Sequence, residues 1–321
     1  FEQIENEHYL QAFEEGINRH NVEIEAIINN PEAPTFANTI AALDLSGRML
    51  NDVSLVFFSV LEAESNDTLQ QIAEKASVML SSHSDDMLMN EALFERIKQV
   101  YDNKDKESLD VEQQSLLERY YKDFVRAGAL LTDEQKALLR DINSEMATLG
   151  LQYGNNVLAE NNAFELVIED EADLAGLPEG AITAAAEAAA AAGYEGKWLF
   201  TLSAPSRVPF LQYADNRDLR EKLYKAYIMR GDNDNANDNK EIVKRMLALR
   251  LEKARLLGFD TYAAFALDDR MAKTDSAANA LMMNVWKYAV PRAKEEIADM
   301  QRIIDREGGN FKLAPWDWSY Y

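Results

Sequence analysis

FLQYADNRDLREKLYKAYIMRG (residues 210–231), a polar loop, and EIVKRMLALRLEKARLLGFDTYAAFALDDRMAK (241–273) make up the stretch on which the fold turns. Leu219, Leu223 and Tyr227 recur every four residues, an apolar stripe on a helix that starts after the turn pair Asp215 and Asn216. Ile242, Met246, Leu249 and Leu256 draw the same stripe on a second helix, which Gly258 is placed to stop. Two amphipathic helices joined by a polar loop need other apolar faces to pack against. The spacing alone therefore predicts the core of a mainly α protein.

The rest of the chain repeats that pattern. Residues 1–30 read as a helix with Ile17, Ile24, Ile27 and Ile28 on its apolar side, ended by Asn29-Asn30-Pro31. Thr35 and Asn38 can start the next helix, whose Leu43, Leu50, Phe57 and Leu61 form a broad apolar face. Asn66 or Asp67 caps a helix through Met79 and Leu80, and His83-Ser84-Asp85-Asp86 reads as a turn with an acidic helix start. The polar run 102–110 is the linker candidate of the first half. Thr132 with Gln135 fits a capping box for a long helix through Val157. Residues 162–169 and 197–202, β-branched or aromatic and bounded by turns, read as two strands of a small sheet around an alanine-rich helix at 183–192. A final helix over 278–306, with Pro291 as its expected kink, precedes an aromatic cluster of Trp316, Trp318, Tyr320 and Tyr321, read as a buried anchor.

Composition narrows the function classes. A net charge of -23 repels a phosphate backbone, and no basic patch is interleaved with aromatics, so nucleic acid is not an expected partner. No apolar run approaches the roughly 20 residues of a membrane span. The absence of cysteine removes disulfides and thiolate metal sites. A chain that opens on Phe1 is expected to lack any native leader, which leaves localisation open between a bacterial cytoplasm and periplasm.

No catalytic, cofactor-binding or metal-ligating residue can be assigned in this chain. Its only histidines are His8, His20 and His83, no two of them four apart, so no helix face presents two imidazoles to one ion. His8 and His20 are expected at the surface or in caps. The loop 231–240 fails as an EF-hand: counting from Asp232, Asn237 stands at the sixth place and Val243 at the twelfth, where Gly and Glu are required. Substrate-binding residues are likewise unassigned.

Beyond spacing, several motifs carry a resemblance. Tyr-Ala-Asp-Asn-Arg-x-Leu-Arg-x-x-Leu-Tyr (213–224), Leu-Leu-Gly-Phe (256–259) and Arg-Met-Ala-Lys (270–273) resemble the thimet oligopeptidase/neurolysin family of zinc peptidases, with the bacterial peptidyl-dipeptidase branch the nearest in pattern. EHYLQAFEEGI (7–17), PTFANTIAALDLSGRML (34–50), RYYKDFVRAGALL (119–131) and WDWSYY (316–321) extend the likeness over the whole chain.

The resemblance implies an elongated helical body of two lobes flanking a deep channel that admits short peptides, with zinc on the floor. It implies that residues 1–110 and 206–321 form the channel lobe. Residues 111–205, helices plus the small sheet, would pack with the catalytic lobe. The family's His-Glu-x-x-His helix, which supplies two zinc ligands and a general base, has no counterpart here. The chain is therefore expected to be the N-terminal part of such an enzyme, inactive alone, with the missing C-terminal catalytic part as its partner. If that part covers roughly 1,500 Å², the isolated chain exposes an apolar patch and self-associates or binds its complement. The alternative is a non-catalytic helical peptide-binding or scaffold protein.

Overall fold

A computed structural model describes residues 3–321; Phe1 and Glu2, and with Phe1 the expectation about a leader, lie outside them. The chain is mainly α and separates into two packing units, Phe1–Leu151 with Arg245–Phe265, and Gln152–Lys244 with Ala266–Tyr321.

The first unit is all helix. α1 (Asn6–Ile28) opens with a capping box in which the Glu5 amide donates to His8 Nδ1 at 3.1 Å. Its apolar positions fall on one side, so Tyr9 and Phe13 bury against α3 (Arg48–Ala63) and α4 (Asp67–Leu88). Gly16 lets α1 and α3 approach closely, since a Cβ there would meet the Leu50 backbone at 3.0 Å. Further along, Ile24 and Ile27 enter a second core shared with α5 (Glu91–Asp102) and α6 (Val111–Arg126), where Leu93, Ile97, Leu117 and Phe124 are fully buried.

Between α1 and α3 the chain does not run as one helix. Thr35 does cap, accepting from the Asn38 amide, but the turn it starts is a wide π-turn at Phe36–Ala41 followed by the short α2 (Ala42–Leu45). Gly47, at φ +69°, then breaks the path before α3, so the apolar face read as continuous belongs to two elements. Nor does 102–110 separate cores. It holds one 3₁₀ turn, Lys104–Lys106, and Glu107 accepts from the Phe36 amide at 3.1 Å, because α5 and α6 on either side share one apolar interior.

Asn66 caps α4 through the Leu69 amide at 3.0 Å. Asn66→Ala is expected to cost about 1 kcal/mol, read as a lower urea midpoint at unchanged slope; no change would mean that the cap is replaced by water. α4 continues through the segment read as a turn, and places His83 and Asp85 in the interior. Short polar residues there follow no apolar period, so the sequence gives no sign that the helix goes on.

α7 (Asp133–Ala163) begins at the expected box, with Thr132 and Gln135 each accepting from the other's amide. In the second unit, β1 (Leu166–Ile168) pairs antiparallel with β2 (Trp198–Phe200), Val167 opposite Leu199. α8 (Glu179–Ala191) connects them and ends at Gly193, whose φ of +84° suits a helix stop. The sheet, α9 (Ala204–Tyr213) and α10 (Arg217–Ile228) enclose one core around Phe200, Phe210 and Leu223.

α11 (Lys240–Leu256) and α12 (Tyr262–Asp268) precede α13 (Asp275–Arg306), which passes through Pro291 as one helix. Its C-terminal half buries Met300 and Ile304, whereas every residue of 279–289 is exposed. Among the described residues no helix is long and apolar enough to cross a membrane.

Candidate functional site

His20 and His83 meet. α1 and α4 bring His83 Nε2 within 2.9 Å of His20 Nδ1, and His20 Nε2 lies 3.0 Å from Ser46 Oγ. This corrects the expectation that His20 sits at the surface or in a cap; its partner His83 comes from a different helix, 63 residues away, where spacing along one helix is blind. His83 lines a cavity of about 510 Å³ with Ser82, Asn21 and Asp86. His20 lines another of about 550 Å³ with Ser46, Tyr120 and Lys253.

Burial holds the His20 pKa below its ordinary value against the pull of Glu23. Burial and the neighbouring His20 do the same to His83, opposed by Asp86. Asp85 is pushed up by burial although it accepts from Asn143 Nδ2 at 2.7 Å. Lys253, whose ammonium donates to Asn143 Oδ1 at 2.6 Å, is pushed down by burial. Unit 1 thus holds a buried acid and imidazole, Asp85 and His83, beside a half-buried base and imidazole, Lys253 and His20, each with a protein partner.

The second unit is organised on Asp317. This carboxylate is 0% exposed and accepts from Arg217 Nε at 3.0 Å, from Arg220 at 2.9 Å and from the Ala314 amide at 3.0 Å. Arg220, itself 1% exposed, also donates to the Ala214 carbonyl at 2.7 Å and lies over the Tyr320 ring at 4.0 Å. Tyr320 donates to Asp215 Oδ1 at 2.8 Å, and burial with that bond pushes its hydroxyl up to about 12. The aromatic run 316–321 was expected to be the buried anchor. Instead Trp318 is exposed and Trp316 half-buried, and the anchor is the acid between them. A lone Asp among four aromatics is easily passed over, but Arg217 and Arg220 at i and i+3 already promised a two-guanidinium fork on one helix face.

The polar loop 231–240 is ordered by its own charges. Lys240 Nζ lies 2.8 Å from Asp232, 2.8 Å from Asp234 and 2.7 Å from Asp238, and so occupies the place among three carboxylates where a cation would be sought. Glu160 of α7 closes the loop from below, accepting from the Gly231 amide at 2.8 Å and from Asn233 and Asn235 at 2.6 and 2.5 Å. Burial pushes Glu160 up, and these three bonds outweigh it, leaving the pKa below the ordinary value. A depressed carboxylate pKa stabilises the fold fully above its unfolded value of about 4.3 and loses that contribution as pH falls below it. Glu160→Gln is therefore expected to lower stability at pH 7 and to flatten the loss between pH 5 and 3. A variant with the wild-type acid profile would show that the loop orders itself without Glu160.

None of this fits a catalytic metal. His8 Nδ1 is engaged in the α1 capping box, His83 Nε2 on His20 Nδ1, and His20 Nε2 on Ser46. Among the described residues no three His, Asp or Glu side chains converge as a metal ion needs.

Comparison with known proteins gives the class first: residues 210–321, which hold the Asp317 network and α13, match the model of peptidase family M3. The kinship implied by the motifs is borne out along the whole chain. Over 321 residues it is 41% identical to the dipeptidyl carboxypeptidase of Escherichia coli K12 and 40% to that of Salmonella typhimurium LT2. Against oligopeptidase A of Escherichia coli K12 it is 31% identical over 329 aligned positions. All of this chain is covered in each case, but only 47%, 47% and 48% of those relatives, so it spans about half the length of the curated proteins it matches.

Proposed function

We propose that these residues are the N-terminal, substrate-channel part of a zinc-dependent peptidase acting on short peptides, with release of dipeptides from the C-terminus favoured over internal cleavage. The observation that carries this reading is the whole-length identity, which is higher to the two dipeptidyl carboxypeptidases than to oligopeptidase A. Zinc, the general base and the groups that stabilise the transition state would come from polypeptide outside this chain, since the residues present do not fit the metal. Residues 1–110 and 206–321 would belong to the channel lobe, and 111–205 would meet the catalytic lobe.

The state of α13 supports this. Between 279 and 289 it carries Leu281, Met282, Met283, Val285, Trp286 and Tyr288, all exposed. A helix that is apolar on most of its circumference belongs inside a larger protein. These residues lie within the segment that matches the peptidase family model, and about half the relatives' length is not in this chain. The occupant we assign to this surface is therefore the remaining part of the same peptidase. Mixing the chain with a separately made polypeptide that completes the relatives' length should give a complex that releases dipeptides from a blocked test peptide. Release by the chain alone, or a complex that binds peptide without cutting it, would refute the assignment.

A further inference from the structure

We propose that Arg250, on α11, is a docking point for a carboxylate carried by the polypeptide that completes the peptidase. This rests on the reading that the remaining part of the same protein covers this chain, and adds to it one specific contact within unit 1. The observation behind it is a half-buried cation with no acid. Three arginines, Arg96, Arg220 and Arg250, have a buried Nε that meets no acceptor among the described residues. Arg96 still donates through a terminal nitrogen to the Asn30 carbonyl at 3.0 Å, and Arg220 to Asp317 at 2.9 Å. Arg250 does neither: among the described residues its guanidinium makes no hydrogen bond and no ion pair.

Shortage of acids does not explain this, since the chain has 56 acidic residues against 33 basic ones. Arg245, five positions earlier on the same helix, holds Glu145 through two bonds of 2.6 Å and lies 3.7 Å from Glu252. A buried donor without an acceptor loses its hydration and gains nothing in exchange. A half-buried guanidinium is therefore stabilised by any carboxylate brought to it.

The local geometry leaves one side open to such a group. The Arg250 guanidinium carbon lies 5.3 Å from the centre of the Tyr262 ring, which supports it on one face. Its Nε is buried and its two terminal nitrogens are not, so the outer edge of the fork can take both oxygens of one carboxylate. Leu247, one turn earlier on α11, is 58% exposed. An exposed leucine beside an arginine held on an aromatic ring is the composition of the centre of an interface, where a few such residues carry most of the affinity. The occupant follows from length and charge: the chain spans 47% of the first relative described above, and the cation calls for an acid.

The test compares wild type, Arg250→Lys and Arg250→Met in the 321-residue chain. Binding kinetics are measured to a polypeptide made from the part of the Escherichia coli dipeptidyl carboxypeptidase that this chain does not cover. Arg250→Met is expected to raise the dissociation rate at least about thirtyfold and to leave the association rate nearly unchanged. Arg250→Lys, which keeps the charge without the fork, should fall between. In the chain alone Arg250→Met removes an unsatisfied donor, so its urea midpoint should be equal to the wild type's or higher. Binding by Arg250→Met within twofold of wild type would overturn the contact and leave the proposed function standing, whereas no binding by the wild type would overturn both. A lower midpoint for Arg250→Met alone would show that Arg250 serves this chain's own fold. Self-association of the wild type that Arg250→Met abolishes would give the surface to a second copy. Either of these results also overturns the proposal.

Discussion

Asp317→Ala is expected to destabilise the second unit by about 3–5 kcal/mol, the largest single-residue effect argued for this chain. The aspartate is enclosed with Arg220, and Arg217 closes the fork from the rim. Removing the acid leaves a buried guanidinium with one carbonyl bond to Ala214 and one to Asp215, and no counter-charge. It also frees the Ala314 amide and so loosens the turn Pro315–Asp317 that docks on α10. Desolvation, more than the lost attraction, sets the magnitude, because a charge left unpaired in the interior has neither water nor partner. For the same reason, Arg220→Met combined with Asp317→Leu should cost less than either change alone. Urea unfolding followed by tryptophan emission would measure both, Trp316 and Trp318 flanking the site. A single-mutant cost under 1 kcal/mol, or a double mutant worse than both singles, would show that the network is not what anchors the segment.

The exposed half of α13 should govern how the isolated chain behaves. Leu281, Trp286 and Tyr288 stand 67%, 64% and 66% exposed on neighbouring turns of one helix. Fully burying one such side chain is worth roughly 1.5–3 kcal/mol, so several together favour association strongly. The chain alone is expected to show a mass that rises with concentration in light scattering and to bind a hydrophobic dye. Leu281→Glu with Trp286→Glu should return it to a monomer without lowering its unfolding midpoint, because neither side chain is in a core. The same pair of changes should abolish complex formation with a polypeptide that completes the relatives' length, if the proposed assignment of this surface holds. A wild-type chain that is monomeric and dye-silent, or a double variant that still binds the complement, would remove α13 from the interface.

Helices and caps were legible wherever period and cap residue agreed. Asn66, Thr132 and Asn216 each accept the amide bonds their positions promised, and both short strands lie inside the runs read for them. What the residues did not disclose were meetings across the chain. His20 and His83 acquire their relation only when α1 crosses α4, and Asp317 its role only when the chain returns to α10. The apolar letters of α13 show the opposite failure: Leu281, Val285 and Tyr288 form a core stripe by spacing, yet none of the described residues covers them. Periodicity reports that a face is apolar; it does not say which polypeptide buries it.

Zinc content tests the central claim most directly. The purified chain, equilibrated with excess zinc and passed through a desalting column, should retain far less than one ion per chain and cleave no peptide in a chelator-sensitive way. The same measurement on its complex with the completing polypeptide should give one tightly held zinc and dipeptide release. Stoichiometric zinc in the chain alone would contradict the account, because among the described residues no three His, Asp or Glu side chains converge to hold a metal ion.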